Sequence, residues 1–429
     1  MGAIRELAER CWNGEVDLVF EEHPVHAWHA TGEEIADGLL YYKGLASATT
    51  VDTGDGLVML DTGGQLDADT LHGEVRKWRP DAPLAAAVFS HHHVDHIFGT
   101  APFEREAADR GAPGPTVYGH AGIAPNLDRY ARTRGLNTTL NRRQFAIDSP
   151  KFAWPEHYRR PDVSYRDRLT FTRGGLTFEL HHARGETEDC TWTWVPERRL
   201  LHSGDLFIWA VPNAGNPQKV QRYLGEWAAA LYEMAGLGAE ILLAGHGLPI
   251  FGADRVSRAL TDTADLLRSI EDQTLALMNQ GLPLDTVIHE VSVPDRLRDL
   301  PYLQPVYDHP QFLVRNVWRL YGGWYDGEPD NLLPAPRAAQ AREWVALAGG
   351  VDVVRDRVTA LLDAGDAPLA CHLAEFAVLA APHDARVHEI RAAAYDAHAS
   401  AQTSSMARNI LAHAATSSRD GRRDNASGT

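Results

Sequence analysis

The chain has little cysteine: Cys11, Cys190 and Cys371 are scattered over 429 residues. An odd number of thiols so far apart implies no disulfide framework, and none has the spacing that grips a metal. Long apolar runs are also missing. Nothing approaches the ~20 residues needed to span a bilayer, which argues against integral membrane association. The opening Met1-Gly2-Ala3-Ile4-Arg5-Glu6 has no signal-peptide apolar stretch, so the expected compartment is the cytoplasm. Positive charge is in deficit, with 41 basic against 58 acidic residues and a formal charge of −17. Such a chain lacks the basic surface that neutralises phosphates, which argues against a general nucleic-acid binder. A local anion pocket remains compatible with this balance, since bound metal can neutralise part of the acidity.

What is present suits a globular protein. Apolar content of 44% and charged content of 23% are ordinary. The length allows two or three domains, each with its own core.

The most informative stretch is Ser90-His91-His92-His93-Val94-Asp95-His96-Ile97-Phe98-Gly99. The apolar run Ala85-Ala86-Ala87-Val88-Phe89 before it reads as a buried strand. The histidines therefore fall on a loop at a strand's carboxyl end, where open α/β architectures place their chemistry. His91 and His93, two apart in an extended segment, can share one metal ion. Asp95 and His96 can face a second. Imidazole with carboxylate suits zinc, iron or manganese. A His-rich turn can also be a mere solvated run, but the fixed register and further candidate ligands downstream argue otherwise.

Before this loop, Leu45 to Val51 and Leu57 to Leu60 read as a hairpin around Asp52-Thr53-Gly54-Asp55-Gly56. The second strand ends in Asp61-Thr62-Gly63-Gly64. Asp61 is either a turn former or a carboxylate that orients a metal-bound imidazole. Residues 1 to 40 are weakly patterned, and His23, His26 and His29 read as surface. Asp69 to Lys77 reads as a helix, and His120 follows a strand as a structural or supporting histidine.

Residues 125 to 168 form the least regular part of the first half. Arg129, Arg132, Arg134, Arg142, Arg143, Arg159 and Arg160 lie there beside several aromatics. The segment reads either as a cover supplying cations to an anionic group or as a solvated basic loop.

Strand signals then precede His182-Ala183-Arg184-Gly185-Glu186-Thr187-Glu188, Ser203-Gly204-Asp205 and Gly245-His246-Gly247. Ligand-type residues thus recur after four strands. Beyond Gly252 the period becomes helical. Helices are expected up to Gly281, over Phe312 to Tyr321, and in succession from Arg337 to Ala414, like a short tetratricopeptide-type array. Residues 416 to 429 are polar and expected to be disordered.

His91-x-His93-x-Asp95-His96 resembles the first metal motif of the metallo-β-lactamase superfamily, and the resemblance extends in order over about 190 residues. Asp61 ends the family's first conserved strand. His182-Ala183-Arg184-Gly185-Glu186 resembles its His-x-Pro-Gly-His, with Glu186 where a histidine is usual and Arg184 in place of proline. Gly204-Asp205 resembles the bridging aspartate and Gly245-His246-Gly247 the last histidine.

A carboxylate in place of that histidine is a feature of the alkylsulfatase (type III sulfatase) branch. Pro301 to Tyr307 and Val314 to Pro329 resemble the alkylsulfatase dimerisation domain. The sterol-carrier-like third domain of the large alkylsulfatases is not expected within these residues.

The resemblance implies an α/β fold: an αββα metallo-β-lactamase sandwich over residues 1–260, an all-α dimerisation domain over 261–415, then the tail 416–429. It implies two divalent ions, Zn2+ foremost, with Mn2+ or Fe2+ as alternatives. His91, His93 and Glu186 would hold one; Asp95, His96 and His246 the other. Asp205 would bridge, Asp95 and Asp205 being the catalytic carboxylates and Asp61 a supporting one. Glu188 is the rival of Glu186.

Lys219, Arg222 and Arg143 are nominated as anion contacts. The implied activity is ester hydrolysis by metal-bound hydroxide, of an alkyl sulfate first, by a homodimer acting on a small or amphiphilic substrate. A lactonase, thioesterase or phosphodiesterase on this scaffold is the alternative, as superfolds host many chemistries. A redox iron site and a decayed, non-catalytic binding protein are the others.

Overall fold

The computed structural model describes residues 2–16, 23–27, 29–149 and 151–423. It divides into two compact units: Met1–Arg132 with Pro155–Gly323, and Thr133–Trp154 with Trp324–Thr429.

Two sheets form the centre of the first unit. The seven-stranded sheet runs in sequence order: β1 (Thr31–Ala36), β2 (Leu39–Lys43), β3 (Ser47–Asp52), β4 (Leu57–Leu60), β5 (Leu84–Phe89), β6 (Thr116–His120) and β7 (Val163–Tyr165). The six-stranded sheet comprises β8 (Arg168–Arg173), β9 (Leu176–Ala183), β10 (Cys190–Val195), β11 (Leu200–Ile208), β12 (Ile241–His246) and β13 (Ile250–Phe251), and is likewise sequential.

Pairing is antiparallel except from β4 to β7 and between β11 and β12. Residues of both sheets share one core, including Val58, Leu60 and Val88 from the first and Phe178, Trp192 and Leu243 from the second. Helix Ala68–Trp78 covers β1 and β2, while Leu224–Ala235 and Ala253–Asn279 cover the other sheet. The layers are thus helix, sheet, sheet, helix. Strands with both faces covered are buried throughout, as β4, β10 and β11 are, whereas edge strand β8 alternates with exposed positions.

Several expectations are corrected. The weakly patterned first 40 residues contain helix Ala3–Trp12 and the β1–β2 hairpin. His23 is buried rather than on the surface, because Pro24 and Val25 are buried with it; His26 Nε2 lies 3.1 Å from the Val306 carbonyl, and His29 is exposed. The supposedly irregular stretch after residue 125 holds helices Ile123–Arg132 and Arg134–Gln144. The second buries amides, Asn137, Asn141 and Gln144, so it carries no apolar period to read.

The break expected at residue 260 is not where compactness divides. Val256, Leu260, Ala264, Leu267 and Ile270 of the 27-residue helix Ala253–Asn279 pack into the same core as the sheets. Helices Leu284–Glu290 and Pro310–Gly322 follow within that unit.

The second unit stacks five helices in succession: Arg337–Leu347, Val351–Asp363, Ala367–Ala380, Ala385–Ser400 and Ser405–Arg419. Helix Arg134–Gln144 packs on the last of them. Asp366, Asp384 and Ser404 cap three N-termini through their side chains. The expected disordered tail begins too early, since the final helix continues to Arg419. Its Ser417 and Ser418 are buried, and Arg391 donates to Ser418 Oγ. Residues 424–429 of that expectation lie outside the described residues. Among the described residues, no helix is long and apolar enough to cross a membrane.

Candidate metal centre

The His-rich loop leaves the carboxyl end of β5, as its apolar run predicts. Glu186 follows β9, and His246 is the last residue of β12. Asp205 differs from expectation, for it lies inside β11 and not after it. The strand is bulged there: the β12 register shifts on both sides of Gly204, which adopts φ +50°. A side chain at Gly204 would meet Ser90 Cβ at 2.6 Å, so the strand keeps its close approach to the metal loop only with glycine.

These elements bring seven side chains together. Ligand-type atoms of His91, His93, Glu186 and Asp205 lie within 4.8 Å of one another, as do those of Asp95, His96 and His246. Asp205 reaches both groups. Its Oδ2 is 3.9 Å from His91 Nε2 and 3.4 Å from His246 Nε2, and its Oδ1 is 3.4 Å from His96 Nε2. His246 Nε2 is 3.3 Å from Asp95 Oδ2.

The outward nitrogens of three imidazoles are committed elsewhere. His246 Nδ1 donates to the Leu45 carbonyl at 2.9 Å, and His96 Nδ1 donates to Asp61 Oδ2 at 2.8 Å. Ser90 Oγ donates to Asp61 at 2.8 Å and accepts from His91 Nδ1 at 2.9 Å. Each ring therefore turns an Nε2 lone pair inward, the arrangement metal sites require. Asp61 is buried at φ +52° and also accepts from Ser90 N at 2.7 Å. It thus ties the loop's start to its second ligand half from a backbone region that few non-glycine residues occupy.

The electrostatics are those of a site built around cations. Burial raises the Asp205 carboxyl, but His246 and His96 outweigh it and hold the group well below the usual carboxylate range. Burial lowers His246, yet Asp205 and Asp95 push it up to about 10; His96 is raised for the same reason. Burial pushes Glu186 up to about 8, against the nearby Arg222.

His96 Nε2, Glu186 Oε2 and Asp205 Oδ1 are buried without a hydrogen bond, and His91 Nε2 faces His93 Nδ1 at 2.7 Å. Buried polar atoms of this kind call for a partner. The donor set is all imidazole and carboxylate, so it fits divalent zinc, manganese or iron.

The other nominated residues separate. Glu188 lies outside both groups, with Oε1 3.3 Å from Arg129. Lys219 is half-buried and lowered to about 8 by burial and by Arg222, with Asp95 and Glu186 acting the other way. Arg222 is buried with Nη1 2.6 Å from Glu186 Oε1 and 2.7 Å from the Asn213 carbonyl. Arg143 lies on helix Arg134–Gln144 of the second unit. His120 stacks on His182 at 4.0 Å and is in neither ligand group.

Sequence reasoning missed Asp189. This buried carboxylate accepts from His92 Nδ1 at 3.0 Å, from Thr187 Oγ1 at 2.5 Å and from Asn126 Nδ2 at 3.2 Å. It joins the middle histidine of one ligand loop to the loop that carries Glu186. Its only sequence signal was an acidic residue placed just before an apolar strand.

Asp189→Ala would leave the buried donors of His92 and Asn126 unpaired, each costing ~1–3 kcal/mol, while Thr187 Oγ1 keeps its contact with Cys190 Sγ. We expect a clear fall in the calorimetric melting temperature and metal affinity weakened about tenfold. An unchanged melting temperature would show that the latch contributes nothing.

Residues 41–246 match the model of the metallo-beta-lactamase superfamily. This stretch is a metallo-beta-lactamase domain by that match. Residues 284–421 match the alkyl sulfatase dimerisation model, so the metallo-beta-lactamase domain is followed by an alkylsulfatase dimerisation domain.

It is 28% identical over 370 residues to a linear primary-alkylsulfatase of Pseudomonas sp., covering 80% of this chain and 69% of that protein. It is also 28% identical over 394 residues to an (R)-specific secondary-alkylsulfatase of Pseudomonas sp., covering 85% and 58%. The solved structure of the stereoselective inverting sec-alkylsulfatase Pisa1 from Pseudomonas sp. superposes with a TM-score of 0.82 at 25% identity, covering 91% of this chain and 66% of that one. The chain thus spans between 58% and 69% of the length of these relatives.

Proposed function

We propose that the chain is a dinuclear metal-dependent hydrolase that cleaves an ester, and that its substrate is an alkyl sulfate. Asp205 carries this reading: a single buried carboxylate faces two ligand groups, one oxygen toward His96 and the other toward His91 and His246. The relatives named as alkylsulfatases direct the choice of ester.

His91, His93 and Glu186 would hold one divalent ion, Asp95, His96 and His246 the other, with Asp205 shared; Zn2+ is the first choice. Two such ions supply Lewis acidity toward an ester oxygen and an acidified water. The chain's own residues do the rest. Asp61 and the Leu45 carbonyl fix the imidazole tautomers, and Asp95, Glu186 and Asp205 balance the positive charge. Lys219, half-buried in the electrostatic reach of Asp95 and Glu186, is the cation suited to meet the anionic head of the substrate.

We further infer a homodimer through the helical region. Support comes from the dimerisation model and from apolar side chains that the second unit exposes: Leu333 at 91%, Leu347 at 80% and Trp324 at 72%.

A panel of esters tests both points. Zinc-, manganese- and iron-loaded protein, each with its molar mass from light scattering, should hydrolyse a long-chain alkyl sulfate in preference to a bis-aryl phosphate, a lactone or a thioester. Its mass should be twice the 47.3 kDa of one chain. Chelation should abolish turnover, and the metal should restore it. Preference for another ester overturns the substrate, while less than one equivalent of bound metal overturns the class.

A further inference from the structure

Glu186 differs chemically from the histidine it replaces in the motif. An imidazole offers one lone pair, while a carboxylate offers two oxygens and about four acceptor positions. Left unconstrained, it could chelate one ion, bridge two or swing between them. A buried carboxylate must also have its second oxygen satisfied.

The structure provides for that second oxygen. Oε1 accepts from Arg222 Nη1 at 2.6 Å and from Asn213 Nδ2. Two donors use the acceptor positions of this oxygen, although it also lies 3.7 Å from His93 Nδ1. Oε2 has no hydrogen-bond partner and lies 3.8 Å from His91 Nε2, on the ligand side. Arg222 is buried, and its Nη1 also donates to the carbonyl of Asn213. The guanidinium therefore braces the residue that shares its carboxylate.

The bracing loop is in turn held by helix Pro310–Gly322 of the same unit. Asn316 donates from Nδ2 to the Arg222 carbonyl at 2.9 Å and accepts from Arg222 N at 3.4 Å. Gln221 Nε2 donates to the Asn316 carbonyl at 3.0 Å. Asp308 Oδ2 accepts from Gly215 N at 2.7 Å. A side chain at Gly215 would overlap the backbone of Phe312 and Leu313, so loop and helix meet main chain to main chain. This helix lies within the residues matched by the dimerisation model.

We propose that Arg222 and Asn213 are positioning residues: they occupy the outer oxygen of Glu186, leave Oε2 as its single ligand atom, and seat it through Asn316 against helix Pro310–Gly322. Arg222 is then not an anion contact. This rests on the metal-hydrolase reading, and its test separates the two.

The test titrates metal-free full-length protein with zinc against a chromophoric chelator. Wild type should take up two equivalents. Arg222→Met should keep one tight equivalent and weaken the other about 10- to 100-fold. The cobalt(II) form should show a changed visible spectrum. Arg222→Lys should fall between, because a point charge keeps the attraction but not the planar grip. Asn316→Ala, which leaves the Glu186 pair intact, should weaken the same equivalent to a smaller extent and decides the matter if Arg222→Met does not fold.

Two tight equivalents in both Arg222→Met and Asn316→Ala, with KM for an alkyl sulfate raised in Arg222→Met, would overturn the proposal and return Arg222 to the substrate. Absence of zinc uptake by wild type would instead overturn the metal reading itself.

Discussion

Asp205→Ala is expected to lower kcat/KM for the preferred ester by at least about three orders of magnitude, while the protein keeps its dimeric mass. In the proposed dinuclear reading, two ions would contribute several kcal/mol of transition-state stabilisation, and each ~1.4 kcal/mol is tenfold in rate. Removing Asp205 takes away the one side chain that faces both ligand groups. It also removes the anion that raises His96 and His246 most, so in the metal-free protein both imidazoles lose their strongest electrostatic partner. The cluster then loses its charge balance with and without metal. Rates and bound metal, measured on the same preparation, decide this. Full turnover in Asp205→Ala would mean that the shared position is not needed.

The second large effect is a contrast between neighbours. Glu186→Ala should remove one metal equivalent and most activity. It also strands a buried guanidinium, since Arg222 loses its carboxylate; breaking such a pair costs ~3–5 kcal/mol. Glu188→Ala should change stability and rate little. Its carboxylate is partly exposed and meets Arg129 in an ion pair of the kind worth ~0–1 kcal/mol. Denaturant unfolding and metal analysis of the two variants give the comparison directly. A silent Glu186→Ala beside an inactive Glu188→Ala would transfer the ligand role.

Much of the site was legible because its information is local. His91, His93, Asp95 and His96 are neighbours on one loop, and a strand before them is announced by its own apolar residues. Glu186 and His246 follow β-prone runs too, but they were nominated as ligands through the family resemblance. Asp205 was nominated too, although its place inside a bulged strand was not foreseen. The bulge depends on Gly204 meeting Ser90 across the site, a contact between residues more than a hundred positions apart.

The unread parts share that character. Asp189 gains its meaning from His92, 97 residues away, and Arg222 from Glu186, 36 positions earlier in the chain. Read alone, an arginine near a site suggests an anion to bind. Read in the fold, its anion is a protein carboxylate. Helix Arg134–Gln144 joined the helical unit unannounced because its buried side is amide and not apolar.

By itself, then, the sequence determined which chemistry this protein is equipped for, because residue types and short spacings set what each strand tip can ligate. Only the tertiary structure decided which of those side chains gather in one cluster and which neighbours brace them. That choice depends on how buried donors and acceptors are shared out at a few ångströms, among residues the chain order keeps far apart.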